Sequence, residues 1–130
     1  MAPEVMCRCS HGVAADYYAL GIIVFECIFG CRPYIGGSRQ EIRDKILAKQ
    51  VQIKKRDIPQ EWSQQAIDFV NQTIQRKPQN RLGFNGPDEV MDHPWFSDVD
   101  WDRLRLKHVK APFVPHYNPD DYQDQLNMLQ

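Results

Sequence analysis

Two carboxylates, Asp16 and Glu26, are the only charged residues in the most apolar stretch of the sequence, Val13 to Phe29. A carboxylate drawn out of water must find hydrogen-bond donors or bear the cost of desolvation. From its position alone, Asp16 reads as a first-turn helix acid satisfied by its own backbone amides. Four cysteines, Cys7, Cys9, Cys27 and Cys31, could in principle hold a metal. Their C-x-C and C-x-x-x-C spacings do not match the usual zinc patterns, and no histidine pair stands at ligand spacing. They read as structural or incidental thiols, and no metal site is expected. His11, His108 and His116 have no partner at ligand or catalytic spacing. The chain contains no glycine-rich phosphate cradle and no P-loop. No catalytic residue and no bound cofactor are therefore expected of these residues alone.

Composition narrows the remaining classes. The chain has 130 residues, 42% apolar and 25% charged, which suits one small domain or part of a larger one. Its formal net charge of -1 provides no field that would favour nucleic acid or an acidic membrane. Trp62, Trp95, Trp101 and Phe113 read as packing residues, because no basic groove accompanies them as a base-stacking platform would require. Neither a nucleic-acid nor a membrane partner is expected. No charged segment leads into an apolar one at the start, so no secretory signal is read there. Reduced thiols and a cytoplasmic setting are the expectation.

The elements that must position these residues are helical. The run Val13 to Phe29 is long enough to favour helix over strand. It is too short and too acidic for a membrane span, which needs ~20 apolar residues. A helix apolar all round belongs at the centre of a protein. The residues before it, from Met1 to Gly12, read as irregular, with Pro3 and Gly12 as breakers. Ser38 and Glu41 form an S-x-x-E capping box for a second helix with Ile42, Ile46 and Leu47 on its apolar stripe. Lys54-Lys55-Arg56 reads as a solvated linker. Ser63 caps a third helix running to about Gln75, which Pro78 ends. Pro87, followed by Asp88 and Glu89, opens a fourth. Trp101 and Leu104 suggest one more short turn, Pro112 to Pro115 an extended segment, and residues 116–130 a polar, amide-rich end.

Several features, in this order, resemble the second half of the large lobe of a eukaryotic serine/threonine protein kinase. Ala2-Pro3-Glu4 matches the A-P-E motif that follows the activation loop. Asp16-Tyr17-Tyr18-Ala19-Leu20-Gly21 is similar to the D-x-W-x-x-G motif that opens the family's central F helix, with Tyr17-Tyr18 replacing the usual tryptophan pair. Asn80-Arg81-Leu82-Gly83 resembles the segment that carries the arginine partner of the A-P-E glutamate. His93-Pro94-Trp95-Phe96 resembles the block closing the lobe, which makes His93 a packing residue. Asp100-Trp101, Leu104 and Pro112-Phe113-Val114-Pro115 are similar to the start of the C-terminal tail of the AGC kinase group. Asp121-Tyr122 faintly resembles that tail's adenine-side segment, and no F-x-x-F motif follows it.

The resemblance implies a mainly α chain: residues 1–96 a partial kinase large lobe with F, G, H and I type helices, and 97–130 an AGC-like tail. It implies a buried ion pair between Glu4 and Arg81. It also implies that Asp16 accepts hydrogen bonds from backbone amides of the catalytic loop. Glu26 would contact an arginine of the substrate, or be kept for packing alone. The Gly-rich loop, strand lysine, catalytic-loop Asp and Asn and D-F-G Asp all precede A-P-E in kinases. None lies in this chain, so ATP and Mg2+ are expected only for an intact kinase, and the chain alone is expected to be inactive. Two readings stand: an incomplete piece of an active kinase, with Met1 an internal methionine, or a degenerate lobe retained as a non-catalytic interaction subunit. In either, the missing kinase half or another protein is expected to cover the central helix, over a strip including Leu20, Ile23, Val24 and Cys27.

Overall fold

The structure, a computed structural model, describes residues 1–115. The tail residues 116–130, with His116 and Asp121-Tyr122, lie outside the described residues. Among those described there is no strand, and the chain divides into two units, one from Met1 to Asp98 and one beginning at Val99.

The first unit is built on α2, Ala14–Phe29, which carries the apolar run. Gly30, in the left-handed region at φ 68°, ends it and returns its N–H to the Glu26 carbonyl at 2.8 Å. Helix α4, Gln64–Thr73, packs on α2. Gly21 is what lets the two helices come so close. A Cβ there would lie 2.3 Å from Thr73 Oγ1 and 2.8 Å from Ile74 Cγ2, below any real contact. The core runs through this seam, from Tyr18, Phe25 and Ile28 of α2 to Ala66, Ile67 and Val70 of α4, and on to Ile74. Thr73, the one polar residue fully buried in α4, satisfies its hydroxyl on the Phe69 and Val70 carbonyls of its own turn.

Helix α3, Arg39–Ala48, is capped by Ser38, whose Oγ accepts from the Glu41 N–H at 3.1 Å. The reciprocal half of the expected box is redirected. The Glu41 carboxylate takes the Gly37 N–H at 2.9 Å and pairs with Lys45, so the box closes one residue early. Tyr34 ties the preceding loop down: its hydroxyl donates to the Lys49 carbonyl and accepts from the Val51 N–H, both at 3.1 Å. Asn71 grips Ile53 through both backbone groups, at 2.8 and 3.0 Å, which fastens the segment after α3 to α4. The basic run forms a 3-10 turn, Lys55–Asp57, on the exposed surface.

Ser63 Oγ caps α4 through the Ala66 N–H at 3.1 Å, and the helix ends at Thr73, two residues before the expected limit. Pro78 opens a 3-10 turn, Pro78–Asn80, and α5 spans Pro87–Met91 with proline at its first position. The 3-10 turn Pro94–Phe96 sets the Trp95 and Phe96 rings 5.1 and 5.3 Å from Phe69. His93 is buried there, with Nδ1 accepting from the Trp95 N–H at 3.2 Å and Nε2 3.4 Å from Asp68.

One expectation is corrected at the start of the chain. Pro3–Met6, read as irregular, forms a helical turn, α1. Proline at the first position is already set in helical φ, and Glu4 lies in the first turn, where negative charge is favoured. The second unit contains α6, Trp101–Arg105, capped by Asp100, whose side chain accepts from the Arg103 N–H at 2.9 Å. Residues 112–115 form no regular element.

Candidate functional site

The residues singled out in the sequence fall at three places on and around α2. The first is a buried clamp. Arg81, 2% exposed, sits beneath the N-terminal end of α2 and engages both oxygens of Glu4, Oε1 at 2.7 Å and Oε2 at 3.0 Å. A guanidinium carries five N–H donors in a fixed fork, and here each one has an acceptor. Beyond Glu4 these are the carbonyls of Ala14 at 2.7 Å, Gln75 at 3.0 Å and Arg76 at 3.4 Å. One side chain thus joins α1, the first residue of α2 and the exit of α4. The guanidinium carbon also lies 4.9 Å above the Tyr18 ring, a cation–π contact in a desolvated setting. Burial pushes the Glu4 carboxyl up, but its hydrogen bonds with Arg81, its own backbone N–H and the Arg81 charge outweigh that and hold it below its usual 4.5. The Tyr18 hydroxyl is buried without a protein hydrogen-bond partner. Burial first, and the neighbouring Tyr34 second, hold that phenol well above its usual range.

The turn between Arg81 and α5 is closed against α2 by a second glycine. Gly83 lies at φ 88°, and a Cβ on it would lie 2.2 Å from the Tyr17 ring. Its N–H donates to Glu89 at 2.9 Å, and Asn85 holds the same carboxylate through its side chain and its N–H. Those bonds, the Asn85 side chain foremost, hold the Glu89 carboxyl below its usual value.

The second place is the open face of α2. Asp16, Leu20, Ile23 and Cys27 follow one another at helical spacing, i, i+4, i+7 and i+11, and therefore share one face. All four are exposed, with Ile23 at 59% and Leu20 at 38%; Val13, at 53%, precedes them. Val24, at the edge of this face, is half-buried and packs on the core. Asp16 is therefore not taken out of water, and no side-chain hydrogen bond forms on it within the described residues. Among the described residues, neither its own first-turn amides nor another segment engages its carboxylate.

The third place is Glu26, three residues beyond Ile23 at the border of this face. It is exposed and pairs with Arg32, whose Nε lies 3.5 Å from Oε2. Sequence reading gave no sign of this partner, because Arg32 lies beyond the Gly30 reversal at a spacing no helical rule couples. The three carbonyls that complete the Arg81 fork were likewise invisible, since a backbone acceptor leaves no mark on residue type.

The four cysteines are free and exposed. Among the described residues no group of three or more His, Cys, Asp or Glu side chains could hold a metal ion, and no helix is long and apolar enough to cross a membrane.

Comparison with known proteins gives the same direction as these motifs. A probable serine/threonine protein kinase, IRE4, of Arabidopsis thaliana is 39% identical over 124 residues, covering 95% of this chain and 11% of that protein. Human ribosomal protein S6 kinase alpha-6 is 37% identical over 122 residues, 93% of this chain and 16% of its own length. Serine/threonine-protein kinase N2 of Danio rerio is 36% identical over 117 residues, 88% of this chain and 12% of that protein. The chain spans between a tenth and a sixth of the length of these relatives. Residues 1–96 match the family model described as the protein kinase domain. With the A-P-E glutamate clamped by Arg81 and serine/threonine kinases as its relatives, this helical chain belongs to the protein kinase family.

Proposed function

We propose that this chain is the rear of the large lobe of a serine/threonine protein kinase, supplying scaffold and substrate contacts but not the phosphoryl-transfer chemistry. That chemistry requires positioned phosphates, metal ions and an aligned hydroxyl. The residues that provide these in kinases are absent from the 130 residues, so the chain by itself neither binds ATP with Mg2+ nor transfers phosphate. Residues from Asp100 to Pro115 are the beginning of an AGC-type tail on this reading, and the setting is intracellular, where exposed unpaired cysteines persist.

The observation that carries the reading is the open apolar face of α2. Asp16, Leu20, Ile23 and Cys27 form a contiguous strip with a carboxylate at its head. Burying one Leu- or Ile-sized side chain contributes ~1.5–3 kcal/mol, so such a strip favours a cover. A preceding kinase half would lay apolar side chains on Leu20 and Ile23 and direct backbone amides at Asp16. Glu26, already paired with Arg32 but 47% exposed, can still meet a cationic substrate side chain.

Intact-mass measurement of the native protein tests this. A species well above 15.2 kDa, large enough to include the preceding kinase half, is expected, with ATP-dependent phosphate transfer to a serine or threonine peptide. A native species of 15.2 kDa that transfers no phosphate and co-purifies with another protein would replace this reading with that of a non-catalytic interaction subunit.

A further inference from the structure

The Glu26–Arg32 pair carries a consequence for which substrates this lobe accepts. Glu26 projects from the last turns of α2, and its side chain is 47% exposed. Arg32 reaches it from the loop after Gly30. Arg32 is among the residues lining a hollow of about 90 Å³, with Met1, Tyr18, Ile22, Pro33 and Tyr34. Its side chain is 72% exposed, and its Nε lies 3.5 Å from Glu26 Oε2, so it holds its place beside Glu26 while open to solvent. The contact is long, and no hydrogen bond accompanies it among the described residues, unlike the two-pronged grip Arg81 has on Glu4. Oε1 of Glu26 accepts no hydrogen bond among the described residues and remains open.

We infer that Arg32 is a built-in competitor for Glu26, a resident cation that weakens selection for arginine in the substrate at this position. An incoming guanidinium must either share the carboxylate with Arg32, at the cost of like-charge repulsion, or displace it. Exposed ion pairs are individually weak, so the competitor moderates selection without abolishing it. The effect expected is roughly two- to fivefold, the equilibrium equivalent of an exposed pair. The inference rests on the reading of Glu26 as a substrate-side acid, and the experiment separates the two.

The probe is a fluorescently labelled hexa-arginine peptide, with a hexa-citrulline peptide of the same shape and no charge as control. Binding is measured at low salt to the native protein and to its Arg32→Gln, Glu26→Gln and doubly substituted forms. Arg56→Gln, which removes another exposed cation far along the chain, reports the effect of net charge alone. Arg32→Gln is expected to tighten the arginine peptide two- to fivefold, more than Arg56→Gln does, and to leave the citrulline peptide unchanged. Glu26→Gln is expected to weaken the arginine peptide and to erase any gain from Arg32→Gln. If Glu26→Gln weakens binding while Arg32→Gln does no more than Arg56→Gln, the competitor is refuted and the substrate-side role of Glu26 stands. If Glu26→Gln changes nothing, that role falls and the inference falls with it.

Discussion

Arg81 and Glu4, 77 residues apart in the chain, meet through two parallel hydrogen bonds of 2.7 and 3.0 Å inside the protein. Each ion is desolvated, so the pair stabilises this arrangement chiefly by making its absence costly. The three carbonyls on the remaining guanidinium donors make Arg81 the knot between α1, α2 and α4.

Removing either partner leaves the other charge buried and unpaired. Glu4→Ala and Arg81→Ala are each expected to destabilise by about 3–5 kcal/mol. The double substitution should cost less than the sum, because no orphan charge remains. Arg81→Lys should fail to restore stability, since an ammonium cannot supply five donors in a plane. Chemical denaturation of the native protein reads all four; single losses below about 1 kcal/mol would mean the pair is not buried in solution.

The same pair predicts acid sensitivity. The Glu4 carboxyl is held below its usual 4.5, so its folded-state pKa lies beneath the unfolded one. The ionised group contributes its full stability above the unfolded value. That contribution declines as pH falls below about 4.5 and is gone once pH has passed below the folded-state pKa. Glu4→Gln should flatten this part of the pH–stability curve relative to the parent protein. Parallel curves between pH 5 and 3 would count against the assignment.

Gly21 is expected to tolerate no side chain. Its Cβ would fall on Thr73 Oγ1 at the end of α4 and on Ile74 just beyond it, and overpacking of this kind costs about 1–3 kcal/mol. This outweighs the gain of up to ~1 kcal/mol that alanine brings to a helix interior. A Gly21→Ala protein melting at or above the parent temperature would show that α2 and α4 are not in contact at this point.

The open face of α2 should be insensitive to charge in the chain alone and sensitive in the assembled protein. Ile23→Lys is expected to change the stability of the 130-residue chain by less than about 0.5 kcal/mol, as at any solvent-facing site. It should also reduce self-association, seen as a monodisperse species in sedimentation. In the native protein the same substitution should dissociate or destabilise whatever covers the face. A monomeric, cooperatively melting parent chain, indifferent to Ile23→Lys in every state, would show that the strip needs no cover.

Much of the fold was legible because its causes are local. The apolar run of α2, Ser38 and Ser63 as helix caps and Pro87 at a first turn act within four residues of themselves, and the structure has each in place. The order of A-P-E, the D-x-x-x-x-G segment, Asn80-Arg81 and His93-Pro94-Trp95-Phe96 was enough to pair Glu4 with Arg81 by resemblance. Two details were missed where local signals competed: a proline that breaks a helix can also open one, and a capping acid has more than one donor within reach. Met1 to Gly12 looked irregular, yet Pro3–Met6 is helical with Glu4 anchored from 77 residues away. The capping-box acid Glu41 was diverted to Gly37 and Lys45 by the course of the loop before it.

By itself the sequence determined that the chain is helical, which residues end its helices, and which kinase motifs it carries, since periodicity, capping and motif order are written in residue types. Only the tertiary structure decided which side of an all-round apolar helix is buried. Hydrophobicity has no direction, and the choice came from Gly21 admitting α4 on one face, leaving Asp16, Leu20 and Ile23 on another. It also decided that Arg32 sits on Glu26, because an exposed ion pair across a chain reversal depends on where the loop travels and not on spacing.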